Sequence, residues 1–198
     1  MALAAAQRRL AAGGLPALTA RNVADDIGYA VGTLYNLFDD LDTLIVHVNG
    51  ATLDLLHDAL APCVTGKDAE RDLAALLDAY LRFLENRQHL WTALFDHRRA
   101  NDMLLPDWYL AKVDRVLRLL ETALGPVFPD GDPAKCAEAA RVLWAGLHGI
   151  CSLGGAGKLS VISHLTVGDM AASLVGNYVA GLRHGVRNEI DVQGGESR

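Results

Sequence analysis

Apolar side chains return every three or four residues along nearly the whole chain, the spacing that places them on one face of a helix. Leu3, Ala6 and Leu10 mark a first helix that should stop at Gly13-Gly14. Thr19 is a natural N-cap for a two-turn helix whose inner stripe is Val23, Ala24 and Ile27 and which Gly28 ends. A third short helix over about 31–38 is predicted to bury Leu34, Leu37 and Phe38. A long helix follows over about 40–61, with Leu41, Leu44, Ile45, Val48, Thr52, Leu55 and Ala59 in phase and Pro62 beyond its end.

Five further helices complete the pattern. The fifth carries Leu73, Leu76, Leu77, Tyr80, Leu81 and Leu84, and the sixth, about 89–98, carries Leu90, Trp91, Leu94 and Phe95. Leu110, Val113, Leu117, Leu120 and Leu124 form the inner face of the seventh, stopped by Gly125-Pro126. Pro133 opens the eighth, to about 153, nearly all small or apolar from Val142 onward. The ninth, about 167–185, has two adjoining stripes, Met170/Leu174/Tyr178/Leu182 and Ala171/Val175/Val179, wider than one neighbouring helix covers. A second contact surface is implied, and residues 188–198 read as a disordered tail. No alternating stretch is long enough for a strand, so the predicted fold is all-α with about nine helices.

Composition agrees with this reading. Of 198 residues 51% are hydrophobic but only 6% aromatic, so the core is built from Leu, Ala and Val, which favours helices. Three widely spaced cysteines, Cys63, Cys136 and Cys151, form no paired motif and fit a reducing cytoplasm. The longest uncharged run, between Arg141 and Lys158, has 16 residues and is rich in Gly, short of the roughly 20 apolar residues of a membrane span. Arg8 and Arg9 follow the first apolar stretch, the reverse of a signal peptide's order. The net charge of −6 does not by itself point to a polyanionic partner.

The most informative segment is TARNVADDIGYAVGTLYNLF, residues 19–38: a capped two-turn helix, a Gly-containing turn and a second short helix, the layout of a helix-turn-helix. The spaced pattern L-T-x-R-x-V-A-x-x-I-G-x-A-x-G-T-L-Y-x-x-F resembles the DNA-binding domain of TetR-family transcriptional regulators over roughly the first 50 residues. The resemblance implies that the third helix enters the major groove, with Ala30, Val31, Gly32, Thr33, Tyr35 and Asn36 facing it. Thr33 and Tyr35 carry hydroxyls suited to phosphate oxygens, and Asn36 offers a donor and an acceptor to a base edge. Thr19 and Arg21 open the second helix, where amides and a guanidinium can hold a phosphate.

This chain departs from the family pattern in three ways. Asp39-Asp40-Leu41 stands where the family commonly has a Ser-Lys pair, which removes a cation near the fourth helix. Residues 1–50 carry three arginines, Arg8, Arg9 and Arg21, against five aspartates, whereas DNA-binding heads are usually basic. No basic arm precedes the first helix; a longer natural chain would restore positive charge there. If those three arginines are the cations engaged, a dimer releases counterions at up to six phosphates, and log K falls with log salt no more steeply than about −5.

The resemblance also implies a two-part organisation: a DNA-binding domain over 1–45, then a helical ligand-binding and dimerisation domain over 46–187. Such proteins pair through their last two helices, here those near 133–153 and 167–185. A homodimer on a palindromic operator follows, with recognition helices about 34 Å apart. Leu143-Trp144-Ala145-Gly146-Leu147-His148-Gly149 is similar to the W-x-x-x-H-G motif of one TetR C-terminal subgroup. Trp144 and His148, four apart, share a helix face where an aromatic wall and a switchable hydrogen-bonding group can meet a ligand, although a core role is the commoner fate of such a His. Tyr80, Trp91, Phe95, Trp108 and Tyr109 are candidates to line the same cavity or simply to fill the core. Arg82, Arg87, Arg98 and Arg99 allow an acidic ligand but read more simply as a solvated face.

Other chemistry is thinly supported. His148 and Cys151 are half of a conceivable metal site with His89 or His97, but no tight ligand motif joins them, and no metal or cofactor is expected. The segment Gly154-Gly155-Ala156-Gly157-Lys158 fails as a phosphate loop: Ser152 and Leu159 occupy the required Gly and Ser/Thr positions, and a helix precedes it. The sequence is therefore expected to encode a ligand-responsive regulator, a repressor that a small-molecule effector releases from double-stranded DNA. The alternative is an enzyme or carrier with a vestigial head, although no nucleophile motif supports catalysis.

Overall fold

The structure, a computed structural model, describes residues 1–97, 104–128 and 131–195, with the side chains of the last helix described through residue 185. The described residues form ten α-helices in chain order: α1 Ala2–Ala17, α2 Ala20–Ile27, α3 Val31–Leu37, α4 Leu41–Leu60, α5 Ala69–Asn86, α6 Gln88–Asp96, α7 Asp107–Leu124, α8 Pro133–Gly155, α9 Leu159–Ile162 and α10 Val167–Gly195. Short 3-10 turns follow α4 and α7, and the described residues contain no strand. The fold is all-α. The helices gather into two compact units, Met1–Ala59 with Arg82–Arg115, and Leu60–Leu81 with Val116–Arg198.

In the first unit α1 packs on α6 and α2, and α2 on α3. Ala2, Ala5, Ala6 and Leu10 form the buried stripe of α1, its alanines small enough for close helix approach. They join Leu18, Val23, Leu34, Leu44, Val48 and Leu90 in one core. Regular helix is interrupted where the glycine pair predicts: Gly13 leaves helical dihedrals and Gly14 has φ 67°, after which a further turn reaches Ala17. Thr19 caps α2, its Oγ1 accepting from Asn22 N at 3.1 Å. Gly28, at φ 73°, closes it in the left-handed region while the Tyr29 amide donates back to Ala24 O.

Three expectations for the inner faces are corrected. Leu37 is not in the core but 65% exposed. It is the last residue of α3, and Phe38 leaves the helix extended (φ −135°, ψ 120°), so Phe38 rather than Leu37 turns back toward α4, its ring centroid 5.5 Å from that of His47. On α4, Leu55 and Ala59 turn outward and Leu53, Leu56 and Leu60 are buried instead, because the stripe shifts face past Thr52. On α7, Leu110 is 48% exposed and Tyr109 takes the inner position ahead of Val116, Leu120 and Leu124.

In the second unit α8 packs on α10. Gly146 and Gly154 lie where a Cβ would meet Leu174 and Val167, so the glycines let the two helices close. Asp132 caps α8 by accepting from the amides of Ala134 and Lys135, with Pro133 at the first turn. Asp72 of α5 is fully buried, its carboxylate accepting from Thr65 N, Thr65 Oγ1 and Gly66 N. Burial raises its pKa, but these hydrogen bonds outweigh burial and hold the carboxyl below its ordinary value. The short helix α9 was not foreseen, and α10 runs to Gly195, past the point where the tail was expected.

Candidate nucleic-acid interface and effector site

Each turn of α3 aims its side chains by the 100° step per residue. With Leu34 2% exposed, the opposite side carries Gly32 and Asn36, flanked by Tyr35 on one edge and Thr33 on the other. Gly32, Tyr35 and Asn36 are exposed, Thr33 and Val31 half-buried, and Ala30 is the exposed N-cap of α3. At the start of α2, Thr19 and Arg21 are both exposed, and the Thr19 hydroxyl serves as the cap. Five of the eight residues predicted to contact DNA thus sit between Val31 and Asn36, on a short helix held by one buried leucine.

Half of the eight charged side chains in residues 1–50 are engaged within the unit. Arg9 Nε donates to Asp26 Oδ2 at 2.7 Å and a second nitrogen donates to Oδ1, a two-pronged pair. Hydrogen bonding to Arg9 holds the Asp26 carboxyl below its ordinary value, and the same bonds raise that of Arg9. Asp40 caps α4 by accepting from Thr43 N at 2.6 Å, and Asp42 lies 3.5 Å from His97 Nε2. Three of the five head aspartates therefore have internal partners, and so does one of the three arginines.

The aromatic candidates for an effector site form pairs inside each unit. In the first, Trp91 and Phe95 pack with ring centroids 5.3 Å apart, Tyr109 is buried, and Trp108 stacks on His47 at 4.8 Å. Trp108 is 37% exposed and also lies against Gly50. Beside it, Asp54 of α4 pairs with Lys112 and Arg115 of α7. In the second unit Tyr80 is buried, and the Trp144 and His148 rings stack nearly parallel, 5.4 Å apart and 8° from coplanar. Cys151, one turn on, is buried and its thiol is pushed up to about 11, a protonated and unreactive state at neutral pH. Arg87 lies over the Phe83 ring, whereas Arg98 and Arg99 lie outside the described residues.

Sequence reasoning missed a groove of about 530 Å³ between α8 and α10, lined by Glu138, Val142, Asn177, Gly181 and Gly185 among others. Its signal was present in the two glycines four residues apart on one helix face. Tyr178 borders the groove and donates its hydroxyl to Ala139 O at 3.2 Å; burial, then Glu138, raises its pKa. None of the seven aromatic and histidine candidates lines this groove.

The family model described as the tetracyclin repressor-like C-terminal domain matches residues 73–176, just over half of the chain. The chain belongs to the TetR family. Solved structures share the TetR-like fold along nearly the whole length. A protein of unknown function from Rhodococcus sp. RHA1 has a TM-score of 0.72 at 21% identity, covering 92% of this chain and 93% of that one. A TetR transcriptional regulator from the same organism has a TM-score of 0.64 at 23% identity, covering 91% and 92%. The transcriptional regulator FadR from Bacillus subtilis, solved with stearoyl-CoA, has a TM-score of 0.65 at 15% identity, covering 91% and 97%. No curated protein sequence matches the chain. As a TetR-family regulator fold, this chain combines a helix-turn-helix head with a helical body, and none of its described helices is long and apolar enough to cross a membrane.

Proposed function

We propose that this chain is a dimeric, ligand-responsive transcriptional repressor, with a DNA-binding domain over 1–45 and a ligand-binding and dimerisation domain over 46–187. The observation that carries the reading is the outward face of α3, where Gly32, Tyr35 and Asn36 are exposed around the single buried anchor Leu34. Ala30, Val31, Gly32, Thr33, Tyr35 and Asn36 read the major groove, while Thr19 and Arg21 hold a phosphate.

Dimerisation is supported by the half-buried stripe Met170, Leu174, Tyr178 and Leu182 on α10 and by the adjoining groove along α8. A second copy covers that surface and sets two recognition helices on a palindrome. The effector is a small molecule that meets the Trp144–His148 stack and Tyr80 in the second unit, while Trp91, Phe95, Trp108 and Tyr109 serve the core of the first. A fold relative solved with stearoyl-CoA supports a small-molecule effector. To release the operator, the effector must bind the released conformation more tightly, by about 1.4 kcal/mol for each tenfold loss of DNA affinity.

Fluorescence anisotropy of the protein on its own upstream DNA, against scrambled competitor, tests the reading. Specific, saturable binding is expected, lost in the Thr33→Ala/Tyr35→Ala variant while that variant remains dimeric. Binding retained by the double variant removes the recognition-helix assignment.

A further inference from the structure

Helices α8 and α10 form an antiparallel hairpin: from Gly154 back through Gly146 to Ala139 on α8, the neighbours on α10 advance from Val167 through Leu174 to Tyr178. The two ends of the hairpin differ. At the connected end Gly157, at φ 68°, turns the chain out of α8 while the Lys158 amide donates to Leu153 O at 2.9 Å, and α9 follows at once. Leu159 is buried and anchors α9 on α8, but Val161 is 83%, Ile162 67% and Leu165 55% exposed. These aliphatic side chains carry no polar group to hydrate, and clustered in five residues they mark a contact surface. At the open end lies the groove of about 530 Å³, with Phe128, Ala139 and Leu182 in its lining and open space beside Gly181 and Gly185.

We propose that α9 of each copy seats in the α8–α10 groove of the other, with Lys158 facing Glu138 of the partner subunit; this rests on the dimer reading above. A twofold axis across the hairpins sets the connected end of one against the open end of the other, so the projecting apolar segment meets a recess and the contact forms twice. An axis along the hairpins would instead bring the two Lys158 ammonium groups together and leave both grooves in water. Two charged residues, Lys135 and Glu138, line the groove, and Glu138 is nearer the middle of α8, where an antiparallel partner's α9 arrives first.

Cross-linking tests this with two full chains of different tag length, Ile162→Cys and Asn177→Cys, in a background with Cys63, Cys136 and Cys151 replaced by Ala. Both new thiols stand at exposed positions. Mixed and left to exchange subunits, the two variants should give a covalent heterodimer with a short bismaleimide, whereas Ile162→Cys alone gives no cross-linked product. With the native cysteines in place, Lys158→Glu should raise the dimer's dissociation constant by about fivefold in sedimentation, through two reciprocal contacts, and Glu138→Lys in the same chain should restore it. The inference is overturned if Ile162→Cys links to itself, if the mixture gives no heterodimer while sedimentation shows a dimer, or if Lys158→Glu leaves the dissociation constant unchanged. A wild type that stays monomeric removes the dimer reading itself, and this inference with it.

Discussion

The Trp108 indole occupies the space a side chain at position 50 would need: a Cβ on Gly50 would lie 2.6 Å from Trp108 Cζ3. The same ring stacks on His47, so α4 holds it by one missing side chain and one aromatic face. Because Trp108 is partly exposed, Gly50→Ala is accommodated by the ring swinging outward rather than by backbone movement. Alanine's gain in helix propensity, about 1 kcal/mol, offsets much of the lost contact. The expected outcome is a red-shifted Trp108 emission, read in a background with Trp91 and Trp144 replaced by Phe, and a melting temperature within a few degrees of the parent's. Unshifted emission would show that the ring had kept its place.

Asp72 makes acid stability measurable. Its folded pKa lies below the ordinary value, so the stability it contributes is complete above the unfolded carboxyl's pKa and is lost as pH falls through the folded one. Asp72→Ala leaves the Thr65 and Gly66 donors without their acceptor, and urea unfolding at pH 7 should show a loss of about 1–3 kcal/mol. Asp72→Asn should flatten the decline of stability below about pH 4. An unchanged acid limb would mean that another carboxyl governs it.

Salt dependence separates the three head arginines. With Arg9 occupied by Asp26, two arginines per protomer remain for phosphates, and the slope of log K against log salt should be about −3.6 rather than −5. Arg8→Ala and Arg21→Ala should each make the slope shallower by about 1.8, and Arg9→Ala should leave it unchanged. A slope that responds to Arg9→Ala shows that the pair opens on DNA.

Gly28 ends α2 at φ 73° with open space around it, so the cost of a side chain there is one of backbone conformation alone. Gly28→Ala should destabilise by about 1–2 kcal/mol in denaturant unfolding, and Gly28→Asn by less, because asparagine tolerates the left-handed region. Equal costs for the two would point to a steric cause.

Burial of Val142 against a second copy is the simplest check on the groove between α8 and α10. Val142 is 54% exposed in the single chain. Val142→Asp should shift sedimentation from dimer to monomer at micromolar concentration, since two facing carboxylates would be desolvated in an isologous contact. An unaltered dimer would place the interface elsewhere.

Helix number and order were largely legible, because 3.6-residue periodicity, the stop signals at Gly28 and Gly125-Pro126 and the start signal at Pro133 are local. The misread positions lie where a helix ends or its inner face changes. Leu37 fits the helical phase, yet α3 stops there and Phe38 turns back in its stead. Leu55 and Ala59 continue the early stripe of α4 after packing has moved to Leu53 and Leu56. In the head, the groove-facing positions of α3 came from the family resemblance rather than from periodicity. The pairings Arg9–Asp26 and His47–Trp108 were illegible, since they join residues 17 and 61 apart and no periodicity links such positions.

The internal engagement of the head's charges bears on how many copies of the protein a genome requires. Binding to arbitrary DNA comes almost wholly from phosphate neutralisation. A head with Arg9 already occupied and acids beside it lingers little on the millions of wrong sites that compete with an operator. For the repressor proposed above, fewer molecules are then titrated away, and a small cellular pool keeps an operator filled and is emptied by a correspondingly small amount of effector.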